Sequence, residues 1–458
     1  MSKVIDKLKL VRQLRGCVKY IQHIKSLVDW PKGAILEYAT GFGKTFVSII
    51  IFKKILIKWI NCECIVIVPT TQLKGQWEKI LKDENLKAKV YVINTVALGD
   101  KKYKCDLLIL DEVHLYPKGL KFSQVFNKIN YKLLLGLTAT LSDELRKKLE
   151  PYAKVVDTIT QKEAKDNNWI SDYIEYNLPV ELTEEDKETY TKLNKEFNKY
   201  FSYFNFDFNL AMKCRKSSEA KLYADQMGWD HKQVTFFANR WGFFMKERKE
   251  WLYNTQGKID LTVEIIKRFN VKTIVFSESK VFANEVAKQL GDKAVAYHSY
   301  LDTELRSNNK TIGYLVKEGK TTVCQDVNYN PISFSDLEKK YSKISKFGKT
   351  KLLKEALTKF SDNRYKINAI CTAKALNQGT DIPDIELGII GARTSSSIDS
   401  VQESGRICRK YKRKDGTMKR GVIINIYVPK SQDEKWLMKA QKNPDVIFIK
   451  SIDEIKFE

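Results

Sequence analysis

The stretch "GAILEYATGFGKTFVSIIIFKKILIKWI", residues 33–60, decides the fold. Its first part, GAILEY (33–38), is an apolar run that reads as a buried strand. A glycine-rich turn breaks the run. An amphipathic pattern, TFVSIIIFKKILIKWI (45–60), then reads as a helix. Strand, glycine loop and helix start, in that order, make an anion cradle. Gly41 and Gly43 let backbone amides curl round a phosphate with no Cβ in the way, and the helix N-terminus adds the positive end of its dipole. Lys44 is placed to reach the β and γ phosphates of a nucleotide, and Thr45 to offer its hydroxyl to Mg2+. Thr40, Gly41, Gly43, Lys44 and Thr45 are therefore the nucleotide-binding candidates. The strict phosphate-loop pattern has glycine where this chain has Tyr38, so the match is to a variant.

Working outward, the strand–helix rhythm continues. CIVIVP (64–69), KVYVIN (89–94), DLLILD (106–111) and KLLLGLTA (132–139) read as strands, and TQLKGQWEKILKD (71–83) as a helix between the first two. Continuous apolar strands separated by helices predict a parallel sheet covered on both faces. One of these strands ends in two adjacent carboxylates, Asp111 and Glu112. Like charges side by side at the end of a greasy segment are costly unless a cation sits nearby. A strand end is where ligands bind in open α/β sheets. Asp111 there can hold Mg2+, and Glu112 can orient and deprotonate a water for γ-phosphate hydrolysis. Alone, the pair reads equally as a solvated acidic turn; Lys44 upstream favours chemistry. His114 is a poor metal ligand without partners and fits a coupling role across a cleft.

Residues 158 to about 262 differ. PVELTEEDKETYTKLNKEFNKYF alternates acids and bases and reads as helical from about 183. FSYFNFDFNL and VTFFANRWGFFMKERKEWLYN then crowd aromatics. Packing of a small helical module is one reading, and a surface that stacks on bases is the other. A second alternation opens near 271: VKTIVFSE (271–278), KAVAYHS (293–299), INAICTA (367–373), LGIIGA (387–392) and GVIINIYVP (421–429) read as strands. The rhythm breaks at about 303–350, an insertion with no place in the sheet.

Bulk properties narrow the partner. The net charge of +24, from 80 Lys and Arg against 56 Asp and Glu, favours a polyanion, nucleic acid first and an acidic membrane surface second. The eight cysteines include no C-x-x-C pair and there are four histidines, which argues against a structural zinc site and for free thiols. No apolar run is long enough to span a bilayer, and MSKVIDKLKLVRQLRG lacks a signal-peptide core. A cytoplasmic protein, in the host cytoplasm if phage-encoded, is expected.

Taken together, ATGFGKT and DEVH resemble the ATPase core of superfamily 2 helicases and translocases. Further pieces follow in that family's order. VPTTQLKGQW (68–77) and VINT (92–95) resemble nucleic-acid contact segments, and GLTAT (136–140) the element coupling hydrolysis to DNA movement. IVFSES (274–279), YHS (297–299), ALNQGTDIPD (375–384) and QESGRICR (402–409) resemble segments of the family's second half, the last its arginine-finger segment. The resemblance covers roughly 33–160 and 265–430. It implies an α/β fold of tandem RecA-like parallel-sheet domains with a helical linker module: 1–160, 161–265 and 266–458, with the insertion at 303–350. It implies ATP and Mg2+ as cofactors. By resemblance, Gln402, Arg406 and Arg409 join Lys44 and Glu112 in catalysis. Arg406 and Arg409 are three apart and so share a helical face. Gln13, Gly379 and Asp381 join the nucleotide site, and Thr138 and Thr140 join His114 in coupling. Thr70, Gln72, Asn94, Thr95, Ser277, His298, Ser299 and Thr372 are the expected DNA contacts. RKYKRKDGTMKR (409–420) reads either as a DNA grip or as a solvated loop.

The family branch most resembled is the phage branch-migration helicases. That implies forked or junction DNA with a single-stranded tracking strand as partner, ahead of RNA. A monomer is compatible with this reading. An RNA remodeller, a restriction-like translocase subunit and a non-catalytic clamp are the competing readings.

Overall fold

The computed structural model describes residues 7–29, 31–117, 119–318, 321–362, 364–373, 385–393, 420–441, 443 and 445–457. Two parallel sheets carry the chain. The first holds six strands: β1 (Lys32–Tyr38), β2 (Cys64–Val68), β3 (Lys89–Val92), β4 (Leu107–Asp111), β5 (Leu133–Thr138) and β6 (Lys154–Ile159), in the order β3-β2-β4-β5-β1-β6. Every residue of β2, β4 and β5 is buried, as strands covered on both faces must be. A polar substitution in them leaves an unpaired group in the core, and Leu135→Ala costs about 2–5 kcal/mol. Three helices of this half matter for the site: α1 (Lys7–Ser26), α2 (Lys44–Lys58) and α3 (Thr71–Asp83). A short helix, α4 (Ile93–Leu98), follows β3 directly, so VINT begins a helix where a longer strand was expected.

The second sheet has seven strands: β7 (Tyr173–Pro179), β8 (Thr273–Ser277), β9 (Ala294–His298), β10 (Ala369–Ala373), β11 (Leu387–Ile390), β12 (Gly421–Tyr427) and β13 (Ile447–Phe448), in the order β9-β10-β8-β11-β12-β7-β13. The segment 161–265, expected to be helical, thus gives a strand to this sheet between a short helix, Gln161–Asp166, and its longer helices. β7 escaped the sequence reading because its core positions include Glu175 and Asn177. Both are buried, and both are bonded by Asn425 of β12 (Glu175 Oε1 and Asn177 Oδ1, each 2.8 Å from Asn425 Nδ2). Arg393 donates to the same Asn425, and Asn443 to Glu175. A hydrogen-bonded polar network replaces the apolar run that announces a buried strand.

Between β7 and β8 lies a helical segment dominated by α5 (Glu184–Ser202) and α6 (His231–Asn254), with a core of their own around Phe197, Phe204, Ala238 and Trp241. Thr183 caps α5 and Asp230 caps α6, each accepting from backbone amides of the first turn. The stretch at 303–350 folds as a separate antiparallel sheet, Thr303–Ser307, Lys310–Glu318, Thr321–Gln325 and Ser345–Phe347, with the helix Phe334–Lys340 against it. Among the described residues, no helix is long and apolar enough to cross a membrane.

Candidate nucleotide site and its nucleic-acid edge

Register places the site. Glu37 of β1 pairs with Thr138 of β5, and Asp111 of β4 pairs with Leu137. Three neighbouring parallel strands therefore end level with one another, and their loops share one edge of the sheet. The loop after β1 turns through Gly41 (φ 85°) and Gly43 (φ 108°), backbone angles that disfavour any side chain. A Cβ on Gly43 would also come within 2.7 Å of Gln13 Nε2. That amide nitrogen donates to Phe42 O at 2.8 Å, and Lys9 Nζ donates to Gly41 O at 3.2 Å. So α1 grips the loop by its carbonyls; the Phe42 amide closes the turn onto Ala39 O at 3.1 Å, and the remaining loop amides are left for an anion. The hydroxyl of Thr40 and the ammonium of Lys44 are buried there without a hydrogen bond. Lys44 has only an ion pair to Glu112 at 3.6 Å, too long for a hydrogen bond. Thr45 is half-buried in the first turn of α2.

Across the cleft, Asp111 is buried. Its Oδ2 accepts from Trp77 Nε1 at 2.9 Å and its Oδ1 from the Glu112 amide at 3.1 Å. Burial pushes its carboxyl up and adjacent Glu112 adds to the rise; Trp77 and Lys44 oppose it. Burial also works to raise Glu112, but Lys44 and then His114 outweigh it and hold that carboxyl below its usual range. Glu112 is thus the ionised member, and among the described residues Asp111 forms no ion pair. Glu112 also sits in the left-handed backbone region (φ 51°, ψ 53°), rare for a side chain of this kind and a strain that aims it out of the strand line.

Behind Glu112, His114 is fully buried. Its Nδ1 lies 3.4 Å from Glu112 Oε2 and 3.0 Å from Thr138 Oγ1, and Thr138 donates to Thr140 O at 3.1 Å. The two elements approach this closely because residue 136 is glycine: a Cβ there would meet Ile35 at 2.9 Å and Val113 at 3.2 Å. Carboxylate, imidazole and hydroxyl thus form one line from the site to the loop after β5.

That line, the half-bare Lys44 and the carboxylate pair fit a nucleotide site. The chain is like the superfamily 2 helicases and translocases. Residues 11–104 and 81–143 match the family described as the res subunit of type III restriction enzymes. A DNA 3'-5' translocase, XPB2, of Sulfurisphaera tokodaii is 25% identical over 420 residues, 83% of this chain and 75% of that protein. Among solved structures, the DNA-bound type ISP restriction-modification enzyme LlaBIII covers 99% of this chain and 32% of its own, at 14% identity and a TM-score of 0.51. An HsdR-subunit fragment of a type I restriction enzyme from Vibrio vulnificus covers 96% of this chain and 68% of its own, at 16% identity and a TM-score of 0.50. These two show the fold: RecA-like parallel-sheet domains with helices between them.

The helicase-like chain sets its expected DNA contacts at two strand edges. Gln72 and the pair Asn94–Thr95 are exposed in the first turns of α3 and α4, which follow the neighbouring strands β2 and β3. Thr70 caps α3, its Oγ1 accepting from Leu73 N at 3.3 Å. At the second sheet, Ser277, His298 and Thr372 lie at the carboxyl ends of β8, β9 and β10, and all three are buried. Both nitrogens of His298 are engaged inside the protein: Nε2 donates to Asn284 Oδ1 at 2.7 Å, and Nδ1 accepts from Tyr300 N at 3.3 Å. Burial, then Lys280, lowers this imidazole to about 4, so it is neutral. Ser299 beside it is exposed. Gly379, Asp381, Gln402, Arg406 and Arg409 lie outside the described residues.

Sequence reasoning missed three side chains that hold the site. Trp77 anchors Asp111; its place one helical turn before buried Leu81 was a readable sign. Glu37, an acid in an apolar strand, accepts from Leu141 N at 2.8 Å and pairs with Arg146, fixing the loop after β5. Asp157 accepts from Tyr38 Oη (2.7 Å), Arg12 (2.6 Å) and Lys19 (2.5 Å), tying α1 to β1 and β6. Tyr38, the departure from the strict glycine pattern, is thus a tether for α1.

Proposed function

We propose that the protein is an ATP-driven DNA translocase that remodels forked or four-way-junction DNA. The observation that carries the ATPase part is the buried, unbonded Lys44 ammonium facing ionised Glu112 beside a cation-poor Asp111. The loop amides, Thr40 and Lys44 hold the phosphates of ATP. Thr45 and Asp111 fit a Mg2+ ion, and a divalent charge offsets the desolvation that raises Asp111. When bound, that ion neutralises charge on the β and γ phosphates.

Glu112 accepts a proton from the attacking water, and its ionised state at neutral pH suits a base. By the family resemblance, Arg406, Arg409 and Gln402 act on the γ-phosphoryl group, and Gly379 and Asp381 serve the nucleotide. Gln13, now bonded to the phosphate loop, is the adenine reader on this reading. The Glu112–His114–Thr138 line transmits the γ-phosphate state to the loop after β5. Gln72, Asn94, Thr95 and Ser299 grip DNA phosphates, which positions a strand without reading its bases. The working units are 1–160 and a second unit made of 266–458 together with β7, the helices between β7 and β8 being set into that second unit.

The chain's +24 charge supports a nucleic-acid track. The choice of branched DNA rests on the compact size, lysine-rich composition and DEVH sequence, which resemble those of branch-migration helicases. The match over 11–143 to a restriction-enzyme subunit supports a second reading, a motor subunit of a restriction-like system. ATP-dependent processing of synthetic fork, four-way junction, plain duplex and RNA duplex separates them. Branched DNA is processed fastest on our reading. Equal activity on RNA, or none on branched substrates, defeats it, and movement on plain duplex alone favours the restriction-like motor.

A further inference from the structure

The helical segment holds more aromatic rings than its core uses. Trp241 and Phe204 are fully buried, whereas Phe236 and Phe243 are 54% and 48% exposed. With Arg240 they occupy positions i, i+4 and i+7 of α6, one face of the helix. The Arg240 guanidinium lies over three rings: Phe244 at 4.7 Å, Phe243 at 5.3 Å and Tyr200 at 5.7 Å. Tyr200 of α5 is itself buried and backs the patch. Its ring stacks on Phe244 at 5.8 Å, meets Phe236 at 6.4 Å, and has Lys199 Nζ 5.5 Å from its centroid. Among the described residues, neither Arg240 nor Lys199 pairs with a carboxylate.

Exposed rings gain nothing for the fold, and a patch of them marks an interaction surface. The unpaired cations set between the rings say what the partner is. They attract a polyanion, and the rings attract flat apolar faces. A duplex presents phosphates but hides its base faces in the stack, whereas a single strand offers both. We propose that Phe236, Arg240 and Phe243, with Lys199 and backed by buried Tyr200, form a platform for single-stranded DNA, the two exposed rings stacking on bases and the cations taking phosphates. The platform rests on the DNA-translocase reading for the identity of the polymer. It gives that motor a hold on one separated strand, away from the nucleotide cleft.

The test is binding without nucleotide, read by fluorescence anisotropy on the full chain. The probes are a short oligothymidylate, an abasic strand of the same length and a blunt duplex. Wild type is expected to prefer oligothymidylate over the abasic strand. Phe236→Ala/Phe243→Ala is expected to weaken oligothymidylate binding about tenfold or more and to erase that preference. Duplex binding and basal ATP turnover stay within about twofold, because both rings are surface groups. Phe236→Trp/Phe243→Trp restores the single-strand affinity. An unchanged oligothymidylate affinity in the alanine variant, or an equal loss on duplex, overturns the platform. So does a wild-type dimer that the alanine variant breaks in light scattering, since the face then binds a second copy. Ring-dependent strand binding without DNA-stimulated ATP turnover leaves the platform standing and removes the motor instead.

Discussion

The carboxyl edges of the two parallel sheets are built to opposite rules. At the first, the Lys44 ammonium and the Thr40 hydroxyl are buried without hydrogen bonds, and Asp111 forms no ion pair, among the described residues. At the second, buried polar side chains are bonded to one another: Asn425 joins Glu175, Asn177 and Arg393, and His298 uses both nitrogens. Burying an unpaired polar group costs stability that only a ligand can return. The first edge is a site waiting for charge, and the second is a frame that holds its own strands. Emptying a side chain from the first edge should therefore change chemistry and spare the fold. The same act at the second edge should do the reverse.

The largest effect is expected at the first edge. Lys44→Ala should lower ATP turnover by about a thousandfold or more, since it removes charge aimed at the transferring phosphoryl group. Its melting midpoint should fall by no more than about 1 kcal/mol equivalent, as checked by calorimetry. At the second edge, Asn425→Ala leaves Glu175, Asn177 and Arg393 short of partners. Denaturant titration should show a loss of about 2–5 kcal/mol, with ATP turnover per folded molecule little changed. If Asn425→Ala proves stable yet inactive, the contrast between the edges breaks.

Smaller effects sharpen it. His114→Ala should keep most basal turnover but reduce stimulation by DNA about tenfold, because it cuts the line from Glu112 to Thr138. Steady-state rates with and without DNA report this directly. His298 gives the smallest signal. Its imidazole is lowered from 6.5 to about 4 in the fold. Between those values the unfolded chain binds a proton that the folded chain does not. Stability is therefore full above about pH 6.5 and falls as pH drops towards 4, by at most about 3 kcal/mol. His298→Gln should flatten that slope in thermal melts across the range.

Much of this was legible in the sequence because it obeys periodicity. Apolar runs gave β2, β4 and β5 directly, and the glycines at 41 and 43 stood where a loop must turn through positive φ. The carboxylate pair was readable because two like charges at a strand end demand a reason. What escaped was polar and long-range. β7 hides behind Glu175 and Asn177, whose partners on β12 lie about 250 residues away in the chain. Trp77, Glu37 and Asp157 act through contacts that no local pattern encodes. Tyr38 looked like a flaw in a motif, yet its hydroxyl fastens β1 to Asp157. The burial of Ser277, His298 and Thr372 was equally hidden, since strand ends read alike whether they face solvent or a neighbouring helix.

The central claim is that Glu112 activates water at a nucleotide site whose turnover DNA controls. Glu112→Gln keeps the shape of that side chain and removes its basicity. ATP hydrolysis and ATP binding, measured for wild type and Glu112→Gln with and without single-stranded DNA, test it most directly. DNA is expected to accelerate hydrolysis in wild type, and the variant to bind ATP normally but turn it over at least about a hundredfold more slowly. Wild-type turnover indifferent to DNA, or a variant that hydrolyses ATP at the wild-type rate, would contradict it.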